Sequence, residues 1–184
     1  MESLTELEAC VLGLVWSDGP CTAYRVLRMF QSSPSPNWSG SAGSIYPIFR
    51  KLEERDLIEA EERSQGRRKS KVYRATAAGD SALKSWIGPP LPEWVADLPI
   101  DPIRTRVRFL QALRPAQQRQ LIAQAIGVLE GQLEVYRKDS QRLKALDDPF
   151  PHAMARGAIH VTRARLAWLA EIRESLPQGA EPGD

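Results

Sequence analysis

Twelve residues, RSQGRRKSKVYR from Arg63 to Arg74, hold six bases, Arg63, Arg67, Arg68, Lys69, Lys71 and Arg74, and no acid. A run of this kind can attract polyanions by charge. A second stretch, GSAGSIYPIFRKLEERDLI from Gly40 to Ile58, sets Ser41, Gly43, Ser44, Tyr46, Pro47, Arg50 and Lys51 around the apolar series Ile45, Phe49 and Leu52. The apolar residues recur at helical spacing, which leaves small, aromatic and basic residues for the opposite side. Covalent chemistry has no comparable support. Cys10 and Cys21 belong to no CxxC or CxxH spacing, His152 and His160 lie far from both, and neither HExxH nor a phosphate loop occurs. Simple burial is the reading for Cys10, and a solvated or core position for each histidine. We expect no enzyme, no cofactor and no metal.

The totals narrow the class. The 184 residues are 42% apolar and 26% charged, as in ordinary globular chains, and the net charge of +2 makes neither half a basic domain. No apolar run approaches the roughly 18 residues of a membrane span. Glu2, Glu6 and Glu8 stand where a signal peptide would carry lysine. The expected compartment is the cytoplasm, with no membrane partner.

The elements that must position the two polar stretches follow from period and caps. Ser3 with Glu6 reads as a capping box ahead of a first helix carrying Leu4, Leu7, Val11, Leu14 and Val15 on one face. Thr22 caps a second helix whose buried stripe is read as Tyr24, Leu27 and Phe30, with Arg25 and Arg28 toward water. The third helix carries Pro47 near its start. With Ser44 as N-cap the proline falls in the first turn, and with Ser41 as N-cap it removes one bond from the second; the earlier start is preferred. From Leu57 the period changes to that of two strands joined through the Gly66 loop, the second holding Val72 and Tyr73, and Thr76 caps a fourth helix. Three helices, a two-stranded hairpin with a basic tip and a closing helix describe a winged helix-turn-helix over residues 1–88.

Five prolines between Pro89 and Pro102 make 89–101 a stiff connector. A helical domain, 102–176, opens with Asp101 as cap and Pro102 in the first turn, and Ile103, Val107 and Leu110 form its stripe. In the next helix Ile122, Ile126, Leu129, Leu133, Tyr136, Ser140 and Leu143 alternate by four and three, a coiled-coil-like seam of about three heptads. The last helix adds Ile159, Leu166, Leu169 and Ile172 beside Trp168, and 177–184 reads as a disordered tail. The seam can meet a second chain or fold against the last helix. Pairing of two chains is preferred, giving a mainly α protein with a DNA-binding domain and a helical dimerisation domain.

At this point the sequence resembles the PadR family of bacterial transcriptional regulators. The resemblance rests on LGLV in the first helix, GPCTAY before the second, GSIYPIFRKLEERDLI in the third, and GRRKSKVYRATAAG from the wing into the fourth. DPIRTRVRFLQAL and the Trp168 helix are similar to the longer C-terminal domain of one branch. Ala23 stands where the family usually has glycine, and Arg114 where a serine or aspartate often precedes the Pro115 helix.

The resemblance implies a homodimer on an inverted-repeat operator in double-stranded DNA, commonly a repressor released by a small molecule. Ser41, Gly43 and Ser44 would then let a helix end approach phosphate, Tyr46 and Pro47 would line the groove wall, and Arg50 or Lys51 would reach a phosphate or a guanine edge. Arg67, Arg68, Lys69 and Lys71 would meet the flanking minor groove. Ile122, Ile126, Leu129, Leu133, Tyr136, Leu143, Leu166 and Leu169 would form the dimer contact. Trp94 and Trp168 are effector candidates by position. The alternative is a winged module for protein contacts, its wing serving acidic partners.

Overall fold

The structure is a computed structural model and describes residues 3–34, 40–65 and 68–177, with backbone alone at 64, 65, 68 and 69. The chain divides into two compact units, residues 1–97 and 98–184. The sequence-derived boundaries at 88 and 101 bracket that division.

In the first unit α1 spans Glu6–Asp18, α2 Ala23–Ser32, α3 Ala42–Glu54 and α4 Ala77–Ile87, while β1 (Ile58–Gln65) and β2 (Arg68–Ala75) pair antiparallel with Ile58 opposite Ala75. Buried Val11, Leu12 and Val15 of α1 meet Val26 and Phe30 of α2, Ile45, Phe49 and Leu52 of α3, and Leu83 of α4. Two expectations fail here. Thr5, not Ser3, caps α1: the Thr5 N–H donates to the Glu8 carboxylate at 2.9 Å and the Glu8 N–H to Thr5 Oγ1 at 3.3 Å. Tyr24 is 61% exposed, because the inner face of α2 is made by Ala23, Val26, Leu27 and Phe30. A contact absent from the sequence reading joins Cys21 to β2: its N–H and carbonyl pair with those of Tyr73 at 3.0 and 2.8 Å. That one-residue third strand ties the start of α2 to the hairpin.

Between the helix and the hairpin the chain turns at Asp56, whose φ of 55° is left-handed. The Leu57 N–H returns to the Leu52 carbonyl at 2.9 Å, and the Thr76 hydroxyl donates to the Asp56 carbonyl at 2.6 Å. Thr76 also accepts from the Gly79 N–H at 3.0 Å, so one side chain fixes both ends of the hairpin segment.

Within the Pro-rich stretch Glu93–Ala96 makes a single 3-10 turn. The second unit comprises α5 (Pro102–Arg108), α6 (Pro115–Leu143) and α7 (Pro149–Ser175). Asp101 caps α5 through the Ile103 N–H at 2.9 Å and also accepts from Arg165 of α7 at 2.8 Å. Residues 144–148 reverse the chain, and Arg119 near the start of α6 donates to the Pro177 carbonyl just beyond α7 at 2.8 Å, so the two long helices form an antiparallel hairpin. The heptad seam is consumed there. Ile122, Leu129, Leu133, Ser140 and Leu143 are buried within one chain, and Ile122, Leu129 and Leu169 share a core with Leu110, against which Ile126, Leu166 and Trp168 pack. Of the two partners open to the seam, a second chain or the last helix, it is the last helix that packs against it within the chain.

Candidate nucleic-acid interface

Helix α3 begins at Ser41, the earlier of the two starts the sequence allows. The Ser41 N–H donates to Ser44 Oγ at 3.0 Å, and the Ser44 hydroxyl donates to the Ser41 carbonyl at 2.9 Å. Ser44 is thus occupied inside the turn, while the N–H groups of Ala42 and Gly43 have no place in the helical ladder. The first turn carries no acid, so its positive dipole end is left uncompensated.

Behind that end Ile45, Phe49 and Leu52 are buried and Ser41, Gly43, Tyr46, Pro47 and Arg50 are exposed. Pro47 lies in the second turn, where it lacks the N–H that would otherwise reach the Gly43 carbonyl. Its position on the outer side spares the core contact. Five of the predicted site residues therefore share one surface: a small-residue helix end, an exposed tyrosine, a proline and an arginine.

Two predicted bases are engaged elsewhere. Lys51 turns inward to Glu8, Nζ to carboxylate 2.7 Å, and Arg55 approaches the same carboxylate at 3.7 Å. Glu8 is only 4% exposed, so this cluster clamps α3 onto α1. Burial pushes the Glu8 carboxyl up, but the Lys51 hydrogen bond, the Thr5 N–H and the Lys51 charge outweigh it and hold the group below the usual carboxylate range. Lys71 bonds Glu53 of α3 at 2.8 and 3.0 Å and lies 5.3 Å from the centre of the Tyr73 ring, which itself stacks at a tilt on Phe49 at 4.7 Å. Its ammonium is held above its ordinary value chiefly by Glu53. These contacts orient the hairpin against α3.

Arg67 lies outside the described residues, as do the side chains of Arg68 and Lys69; the backbone of the latter two continues β2 toward the turn. Sequence reasoning missed Glu8 as a positioning residue. The signal was present, since Glu8 interrupts an apolar face bounded by Leu4, Leu7, Val11 and Leu12.

Neither cysteine is activated. Burial, with Glu6 nearby, pushes the Cys10 thiol up to about 11, and burial with Asp18 nearby raises that of Cys21. Among the described residues no group of three or more His, Cys, Asp or Glu is placed to hold a metal, and no helix is long and apolar enough to cross a membrane. Trp94 is exposed in the first unit, whereas Trp168 is half-buried against the core of the second.

A three-helix core closed by a two-stranded hairpin and presenting an acid-free helix end defines a winged helix-turn-helix protein. Residues 11–85 match the transcriptional regulator PadR-like family, and residues 101–176 match the virulence activator alpha C-terminal family. The winged unit is thus similar, over residues 11–85, to PadR-like transcriptional regulators. Comparison with the curated proteins finds no match. Among solved structures, Bacillus subtilis PadR in complex with operator DNA is 21% identical, with a TM-score of 0.78 over 94% of this chain and 100% of that one. The same protein in complex with p-coumaric acid is 21% identical with a TM-score of 0.76 over 94% and 99%. The Vibrio cholerae virulence activator AphA is 20% identical with a TM-score of 0.70 over 93% and 98%. At these identities the likeness is one of fold.

Proposed function

We propose that the chain is a cytoplasmic, homodimeric DNA-binding regulator that represses from an inverted-repeat operator and is released by a small molecule. The observation that carries this reading is the outer face of α3. Its free N–H groups and positive dipole end suit a phosphate, Gly43 allows close approach, and Tyr46, Pro47 and Arg50 continue the surface along the helix. The wing, with Arg67, Arg68 and Lys69 near its turn, would add salt-dependent contacts on the flanking groove. The operator and p-coumaric acid complexes of Bacillus subtilis PadR support both parts of the proposal.

Ile122 and Leu129 of the α6 seam pack with Leu169 inside one chain, which supports a pairing surface elsewhere. It falls instead to apolar residues that the chain leaves exposed, Val128 and Val135 seven apart on α6 and Phe150, Met154 and Val161 on α7. Two winged units related by a two-fold axis then match two half-sites. For release, Trp94 is the better effector candidate, because the place of Trp168 is in packing.

The test is a fluorescence-anisotropy titration of the purified protein on the fragment upstream of its own gene, repeated over a salt series. Substituting Tyr46, Arg67 and Arg68 together by alanine should abolish binding and leave the oligomeric state intact. Unaltered affinity in that variant removes α3 and the wing as the DNA surface. An absence of any bound fragment at low salt favours a protein partner instead.

A further inference from the structure

At the end of the α6–α7 hairpin a cleft of about 320 Å³ is lined by Ser140 of α6, by Lys144 just beyond it, and by His152, Arg156, Ile159, His160 and Arg163 of α7. His152, Arg156, His160 and Arg163 recur by four, four and three, so α7 presents them as one stripe. The lining holds three permanent cations and two imidazoles, and no carboxylate.

This arrangement differs from the other basic groups at helix contacts. Lys51 and Arg55 meet Glu8, Lys71 meets Glu53, and Arg142 beside the cleft takes Asp139 at 2.7 Å. Lys144, Arg156 and Arg163 have no ion-pair partner among the described residues. Nearby Asp148 is spent as the N-cap of α7, accepting from the Phe150 N–H at 2.9 Å. Like charges gathered on a concave wall repel one another and concentrate a positive potential that an anion relieves. Two guanidinium forks and an ammonium suit tetrahedral oxyanions, to which arginine donates paired hydrogen bonds. The wall is also wrong for an aromatic acid, because Ile159 is its only large apolar residue and ring binding needs apolar faces.

We infer that this cleft is a binding site for a small, multiply charged phosphate compound, of the phosphate-ester or pyrophosphate class. Arg156 and Arg163 grip the phosphate oxygens, Lys144 closes the α6 side, and the buried Ser140 with the two imidazoles supplies further hydrogen bonds. The site shares no residue with the α3 surface, and its occupancy does not require that the chain bind an operator.

The test is isothermal titration of the full chain with inorganic pyrophosphate at constant ionic strength, with sodium chloride and acetate as controls. The expected result is saturable binding, no saturation with acetate, and weakening of at least about tenfold in Arg156→Ala/Arg163→Ala. Both side chains are exposed, so circular dichroism should find that variant folded. Arg156→Lys/Arg163→Lys keeps the charge and should restore part of the affinity. Equal binding by all three proteins, or none by the native chain, overturns the site. DNA is the other source of phosphate: if the alanine variant lowers the salt slope of operator binding by about two, these side chains belong to a DNA contact and the small-anion site is overturned.

Discussion

Glu8 shows how one side chain connects folding to the proposed DNA surface on α3. Its carboxylate is buried, accepts the Thr5 N–H of its own capping box, and meets Lys51 and Arg55 from α3. Glu8→Gln should cost about 1–3 kcal/mol at neutral pH, because two half-buried cationic donors lose the buried charged acceptor they share. The folded carboxyl is held low, so its contribution is present above the ordinary glutamate range and lost as pH falls through the folded value. Melting temperatures of the native and Gln proteins should therefore converge as pH is lowered from about 7 toward about 3. A gap that widened on acidification would contradict the assignment. Gly43 makes the complementary case at the surface. A Cβ there would meet only Ser41 Oγ, at an ordinary 3.6 Å, so Gly43→Ala should leave stability unchanged or raise it by about 0.5–1 kcal/mol. Operator affinity should nonetheless fall by about tenfold in an anisotropy titration, since the added methyl stands where a phosphate approaches the helix end.

At the scale of elements, caps and close approaches decide where each helix sits. Two capping-box sequences overlap at the N-terminus, Ser3 with Glu6 and Thr5 with Glu8, and local chemistry does not choose between them. The later one forms, and it is the one that also presents Glu8 to Lys51. Helix α4 is placed by Gly79, where any Cβ would fall inside contact distance of the Leu57 carbonyl oxygen and within 2.9 Å of the carbonyl carbon. Gly79→Ala should destabilise the first unit by about 3 kcal/mol, because the obstacle is backbone with nowhere to move. Chemical denaturation followed by circular dichroism should show a lower midpoint with the same slope. The Pro47 irregularity belongs to this scale as well: the missing bond is on the outer side of α3, so the apolar contact of Ile45 and Phe49 survives it.

For the whole molecule the important distinction is between apolar surface the chain covers by itself and apolar surface it leaves open. Leu129 belongs to the first kind and Val128 beside it to the second. Leu129→Ala should therefore cost about 2–5 kcal/mol through a cavity in the α6–α7 core, seen as a lower melting temperature. Val128→Glu with Val135→Glu should instead convert a dimer to monomers in light scattering while the melting of the isolated chain changes little. A dimer that withstands both glutamates would place the contact on another face.

Much of the architecture is written in local pattern. The 3.6-residue period of Ile45, Phe49 and Leu52, the caps at Thr22, Thr76 and Asp101, and the switch to alternating strands after Leu57 depend on neighbours a few residues away, so they could be read in one dimension. So could the acid-free basic run and the small-residue start of α3. Tertiary structure alone decided which side chains were already spoken for. A heptad seam has the same period whether a second chain or α7 covers it. Likewise, the sequence presents Lys51 and Arg50 as adjacent bases, and only the packing of α3 on α1 turns one toward a buried carboxylate and leaves the other exposed. Periodicity specifies a face; the partner of that face is chosen by long-range contacts between segments that the sequence does not place side by side.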